Sequence, residues 1–124
     1  MLSKIQIIEE TVEYYKTHNR AIDNKTHDCY YYRNGDTCPI GRCMENPEEF
    51  NNAILNVLDI HKEYGIDKVL KEEYKGHHVK FWENLQNLHD CMQYWTTSDL
   101  GDNVNDLTES GLECYNKLIE IYKD

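Results

Sequence analysis

The sequence predicts a small, mostly helical α+β domain, with four or five helices packed around one short antiparallel β-hairpin. Three observations lead there. Apolar residues recur at spacings of three and four in several separate stretches, the signature of helices that each bury one face. A single tyrosine-rich run, Cys29 to Ile40, is divided at its middle by Asn34-Gly35, the strongest short-range hairpin signal. A length of 124 residues supplies one core, because two independent ones would each be too small to hold without staples. No internal repeat, low-complexity tract or dividing linker interrupts the chain, so residues 1–124 are expected to form one domain.

The elements follow in order. Ile5, Ile8, Val12 and Tyr15 mark one face of a helix over 3–17, with Glu9, Glu10, Glu13 and Lys16 opposite and Ser3 as its N-cap. The stretch from Thr17 to Asp28 loses this period and reads as a loop. In the hairpin, a two-residue type I′ turn at Asn34-Gly35 sets Arg33 opposite Asp36, Tyr31 opposite Cys38 and Cys29 opposite Ile40. Pro39 cannot donate to a ladder and is expected at the end of the second strand.

Asn46 then caps a helix with Pro47 at its first position; Phe50, Ile54, Val57, Leu58 and His61 share a face, and Gly65 ends it. Ile66, Val69, Leu70 and Tyr74 suit a short helix stopped at Gly76. Val79, Trp82, Leu85, Gln86, His89 and Met92, widened by Phe81 and Leu88, mark another. The stretch Thr96 to Asp106 reads as a loop. Thr108 caps a last helix with Leu112, Tyr115, Leu118, Ile119 and Tyr122 on its apolar face.

Composition narrows the functional classes. The opening MLSKIQIIEETVEYY breaks its apolar run with glutamates, unlike a secretory signal. No stretch approaches the roughly 18 apolar residues of a membrane span. Five cysteines do not pair evenly, which favours reduced thiols in a cytoplasm over a disulfide framework. A net charge of −10 disfavours direct nucleic-acid binding and anionic membranes. That charge is uneven: residues 1–44 hold six acids and six bases, residues 45–124 hold 17 acids against seven lysines, and all three arginines lie in the first part.

The candidate site follows from that asymmetry. Arg20, Arg33 and Arg42 belong to one loop–hairpin–helix unit that also carries His18, Asn19, Tyr30 and Tyr32. Arginine's planar fork suits a phosphate or carboxylate, and tyrosine rings suit a base. The structural alternative makes each arginine a clamp onto the acidic helices. Cys29, Cys38 and Cys43, with His27 beside the first and His18 upstream, lack a C-x2-C hook, so they read first as buried apolar residues and no metal or cofactor is expected; a structural zinc held by the three cysteines and a histidine is the alternative. His77-His78 reads as solvated or cap-adjacent, and His89-Asp90 as a half-buried polar contact. No G-x-S-x-G, H-E-x-x-H, G-x-G-x-x-G or P-loop pattern occurs, so no catalytic residues are assigned. The acids of 45–124 alternate with lysines, as on an ordinary solvated face, which weighs against nucleic-acid mimicry.

Three blocks carry a family likeness: His18-Asn19-Arg20, the stretch Cys29 to Cys43, and Leu85-Gln86-Asn87-Leu88-His89-Asp90. Together they resemble a group of small phage and prophage accessory proteins, in which a Cys-Tyr hairpin ends in a Cys-x-x-Gly turn and a later helix carries Leu-Gln-x-Leu-His-Asp. The resemblance implies a protein acting in the cytoplasm of a bacterial host. It further implies a non-enzymatic role, binding and inhibiting a host protein such as an antiviral defence component. The alternative is capture of an anionic, nucleotide-like small molecule by the arginine–tyrosine region.

Overall fold

Ser3 starts the first helix, α1 (Lys4–Tyr15), with a reciprocal cap: its Oγ accepts the Gln6 N–H at 3.1 Å, and the Gln6 side chain accepts the Ser3 N–H at 2.8 Å. The computed structural model describes residues 1–16, 18, 30–33, 35–50, 56–90, 95–97 and 105–123. Helix α1 buries Ile7, Ile8, Thr11, Val12 and Tyr15. The expected stripe was rotated slightly, since Ile5 is only half-buried and Ile7 lies in the core. Buried Thr11 settles its hydroxyl on the Ile7 carbonyl at 2.7 Å, so its burial leaves no donor stranded.

The hairpin joins β1 (Tyr32–Arg33) to β2 (Asp36–Thr37), with Arg33 opposite Asp36 and Tyr32 opposite Thr37. The Cys38 N–H extends it by one bond to the Tyr31 carbonyl, 3.4 Å away. Gly35 has φ +85°, the left-handed backbone such a turn needs; Asn34 lies outside the described residues. Beyond Cys38 the expected strand does not continue. Pro39 instead takes the first position of a five-residue helix, α2 (Pro39–Cys43), whose N-cap is Cys38. A proline with no N–H fits a helix start as well as a strand end, and here the helix wins. Ile40 is therefore helical rather than paired, and its proposed partner Cys29 lies outside the described residues.

The single long helix expected from Asn46 to Gly65 is two pieces. A 3₁₀ turn, Pro47–Phe50, comes first, and α3 (Val57–Tyr64) starts afresh at Asn56, whose side chain accepts the Asp59 N–H at 2.9 Å. Asn56 sits in extended backbone (φ −79°, ψ 164°), so a helix cannot run through it. Ile54 lies outside the described residues. Helix α3 buries Val57 and Ile60, leaves Leu58 and His61 exposed, and stops at Gly65.

The next segment is also split, into α4 (Ile66–Val69) and a 3₁₀ turn, Glu72–Tyr74. Leu70 between them is extended and bridges Met44. The Glu45 N–H reaches the Val69 carbonyl at 3.0 Å, and the Lys71 N–H the Cys43 carbonyl at 2.9 Å. That short pairing fastens the end of α2 to the acidic half of the chain.

Helix α5 (Val79–Asp90) inserts Phe81, Trp82, Leu85 and Leu88 into the core and packs on α2, α3 and α6; Met92 lies outside the described residues. The stretch expected as a loop holds a second antiparallel pair, β3 (Trp95–Thr97) with β4 (Asn105–Leu107), and β4 packs against α6. The α+β class stands, with two strand pairs and six α-helices among the described residues. Thr108 caps α6 (Glu109–Tyr122) through the Gly111 N–H at 3.1 Å. Leu118 is buried, Tyr115, Ile119 and Tyr122 pack against the core, and Leu112 is half-exposed. No described helix is long and apolar enough to cross a membrane.

Candidate functional site

The turn Cys38-Pro39-Ile40-Gly41 seats everything that follows. The Cys38 Sγ accepts the Gly41 N–H at 3.3 Å, so the thiol takes the capping role usually filled by an oxygen. A Cβ on Gly41 would stand 2.0 Å from the Tyr31 carbonyl oxygen, so only glycine lets α2 lie this close to the hairpin. The Cys-x-x-Gly pattern thus has a local structural cause.

Helix α2 aims Arg42 back toward α1. Its Nη1 donates to the Glu10 Oε1 at 2.5 Å and to the Tyr74 hydroxyl at 3.3 Å, and its Nη2 to the Thr11 Oγ1 at 3.4 Å. The Tyr74 hydroxyl donates to the same Glu10 oxygen at 2.5 Å. The Tyr14 and Tyr74 rings stand 5.4 and 5.7 Å from the guanidinium carbon. The Arg42 side chain is 12% exposed and that of Glu10 40%.

Burial works against both charges, and the pairing outweighs it. For Glu10, the hydrogen bonds from Tyr74 and Arg42 and the charges of Arg42 and Lys71 bring its pKa below the usual carboxylate range. Arg42 is pushed above its ordinary value by Cys43, Tyr74 and Glu10. Burial, reinforced by the Glu10 hydrogen bond, raises Tyr74 well above a free tyrosine. Burial also pushes the Cys43 thiol up to about 12, against the pull of Arg42; a thiol held neutral in this way is a poor nucleophile at ordinary pH.

Arg42 is therefore an internal clamp, and its partner corrects the expectation. The carboxylate comes from the charge-neutral first part of the chain, at Glu10, while the acidic part contributes Tyr74.

The rest of the candidate site lies on the hairpin and at the end of α1. The Arg33 guanidinium stands 4.6 Å from the Tyr30 ring centroid. Tyr30, Tyr32 and Arg33 are half-buried, whereas Tyr31 between them is 2% exposed and packs against Phe50. His18 is exposed; its ring lies flat on Tyr14, centroids 3.9 Å apart and planes at 6°, and its Nδ1 is 2.9 Å from the Tyr14 carbonyl. Asp36 is raised by burial and partly lowered again by the charge of His18; the end of α1 lies beside the hairpin, where the Tyr15 hydroxyl donates to the Thr37 carbonyl. Asn19 and Arg20 lie outside the described residues.

The structure thus brings His18, Tyr30, Tyr32 and Arg33 to the hairpin's surroundings and commits Arg42 elsewhere. Sequence reasoning missed Tyr14, which joins the two groups by facing His18 and Arg42. Its helical spacing of four from His18 was the available signal. Glu10 and Tyr74 carried none.

Cys38 and Cys43 are fully buried. Among the described residues no three His, Cys, Asp or Glu side chains are grouped to hold a metal ion, and Cys29, His27 and Cys91 lie outside them. His77 is buried rather than solvated, its Nε2 donating to the Leu2 carbonyl at 2.8 Å, and His78 is exposed with its Nδ1 accepting the Lys80 N–H at 3.0 Å. The side chains of His89 and Asp90 lie outside the description. Comparison with known proteins returns nothing: no family model, no curated protein and no solved structure matches the chain.

Proposed function

We propose that this chain is a non-enzymatic binding protein of phage origin. It blocks a bacterial host protein, an antiviral defence component by preference, through protein–protein contact in the host cytoplasm. The observation that carries the reading is the Arg33–Tyr30 stack on the hairpin, next to half-buried Tyr32. Tyrosine and arginine are enriched in binding hot spots: a rigid ring buries much area at low entropy cost, and a planar guanidinium offers several pre-aligned donors. Stacking one on the other before contact lowers the ordering cost further. The phage context rests on the residue pattern of the three blocks alone.

The alternative ligand, an anionic nucleotide-like molecule gripped by Arg20, Arg33 and Arg42, fits less well. Arg42 already has the Glu10 carboxylate as counter-ion, and an incoming anion would have to displace it.

Capture from bacterial lysate by the immobilised wild-type chain, beside an Arg33→Ala chain, tests the proposal. The expected result is a host protein retained by the wild type and lost by the variant. A small anion released on denaturation and identified by mass spectrometry, with no protein retained, would favour the alternative.

A further inference from the structure

We draw no further inference here: the strongest candidate, the open cleft of about 560 Å³ lined by Met1, Asp67, Glu72, Glu73, Lys75 and Gly76, is a cluster of acids in which Asp67 already accepts the Gly76 N–H and Glu72 already pairs with Lys75, and nothing in the structure shows what would occupy it.

Discussion

Arg33 and Arg42 sit at the two ends of one hairpin–helix unit, and their neighbours give them opposite work. Arg42 lies on α2, nearly buried, with a carboxylate, two hydroxyls and two rings around its guanidinium. Arg33 lies on β1, half-buried, over one tyrosine ring and across from Asp36. Residue type and composition treat them alike. What separates them is what they meet: α2 carries Arg42 onto the Glu10 carboxylate of α1, while Arg33 stays on the hairpin beside Tyr30. An arginine cluster read from sequence is therefore a cluster along the chain, and the fold decides which members share a surface.

The largest expected effect falls on the turn that separates them. Gly41→Ala puts a Cβ against the Tyr31 backbone, which unlike a side chain has no rotamer to yield. A cost of about 3 kcal/mol or more is expected, measured by urea denaturation. A loss below about 1 kcal/mol would mean that α2 can shift away from the hairpin freely.

Arg42→Ala comes next. Removing one partner of a buried pair typically costs about 3–5 kcal/mol. With Glu10 40% exposed, about 2–3 kcal/mol is expected instead, read from the same denaturation curves. Arg42→Lys should recover only part of it, because an ammonium cannot reproduce the fork to Glu10 and Thr11.

The same clamp has a pH signature. Glu10's folded pKa lies below its ordinary 4.5, so its pairing contributes stability that is fully present above the unfolded value. That contribution is lost as pH falls from about 4.5 through the lowered folded pKa. Asp36, raised by burial, acts in the opposite sense, its penalty easing on acidification. The wild type should lose more stability on acidification than Arg42→Ala, in which Glu10 keeps only the Tyr74 hydroxyl and the charge of Lys71. Parallel stability–pH curves for the two proteins would count against the clamp.

What the sequence disclosed was local. Ser3 and Thr108 cap the first and last helices, Arg33 faces Asp36 across the turn, and Gly65 stops α3. Each depends on residues within a few positions of one another. Two features escaped because a local signal pointed elsewhere. The apolar period from Phe50 to His61 hid the interruption at Asn56. The polar run around Thr96 and Asp106 has no alternation, and its strands exist through pairing with each other and the packing of β4 on α6. A clamp at Arg42 was legible as the alternative, but its partners were not: Glu10, Arg42 and Tyr74 meet across 32 and 64 residues, and nothing near any of them announces the others.

A smaller effect calibrates the local devices. Thr108→Ala removes the hydroxyl that takes the Gly111 N–H and should cost about 1 kcal/mol, with helix content on circular dichroism almost unchanged at low denaturant. A cost above about 2 kcal/mol would show that β4 and α6 depend on Thr108 for more than the cap.

Smallest of all in stability is Arg33→Ala, expected within about 0.5 kcal/mol of wild type, as for a surface change away from the core. Its effect belongs to binding, and that contrast makes it the most direct test. The measurement is retention of a bacterial host protein by Arg33→Ala at a concentration where the wild-type chain is half-saturated, with the urea midpoint taken on the same preparation. The account predicts an unchanged midpoint and a retention reduced at least about fivefold, as a tenfold weaker Kd gives at that concentration, the loss of an arginine whose partner contact is worth about 1.4 kcal/mol or more. Retention equal to wild type at an unchanged midpoint would contradict it, and the hairpin face would no longer be the binding surface.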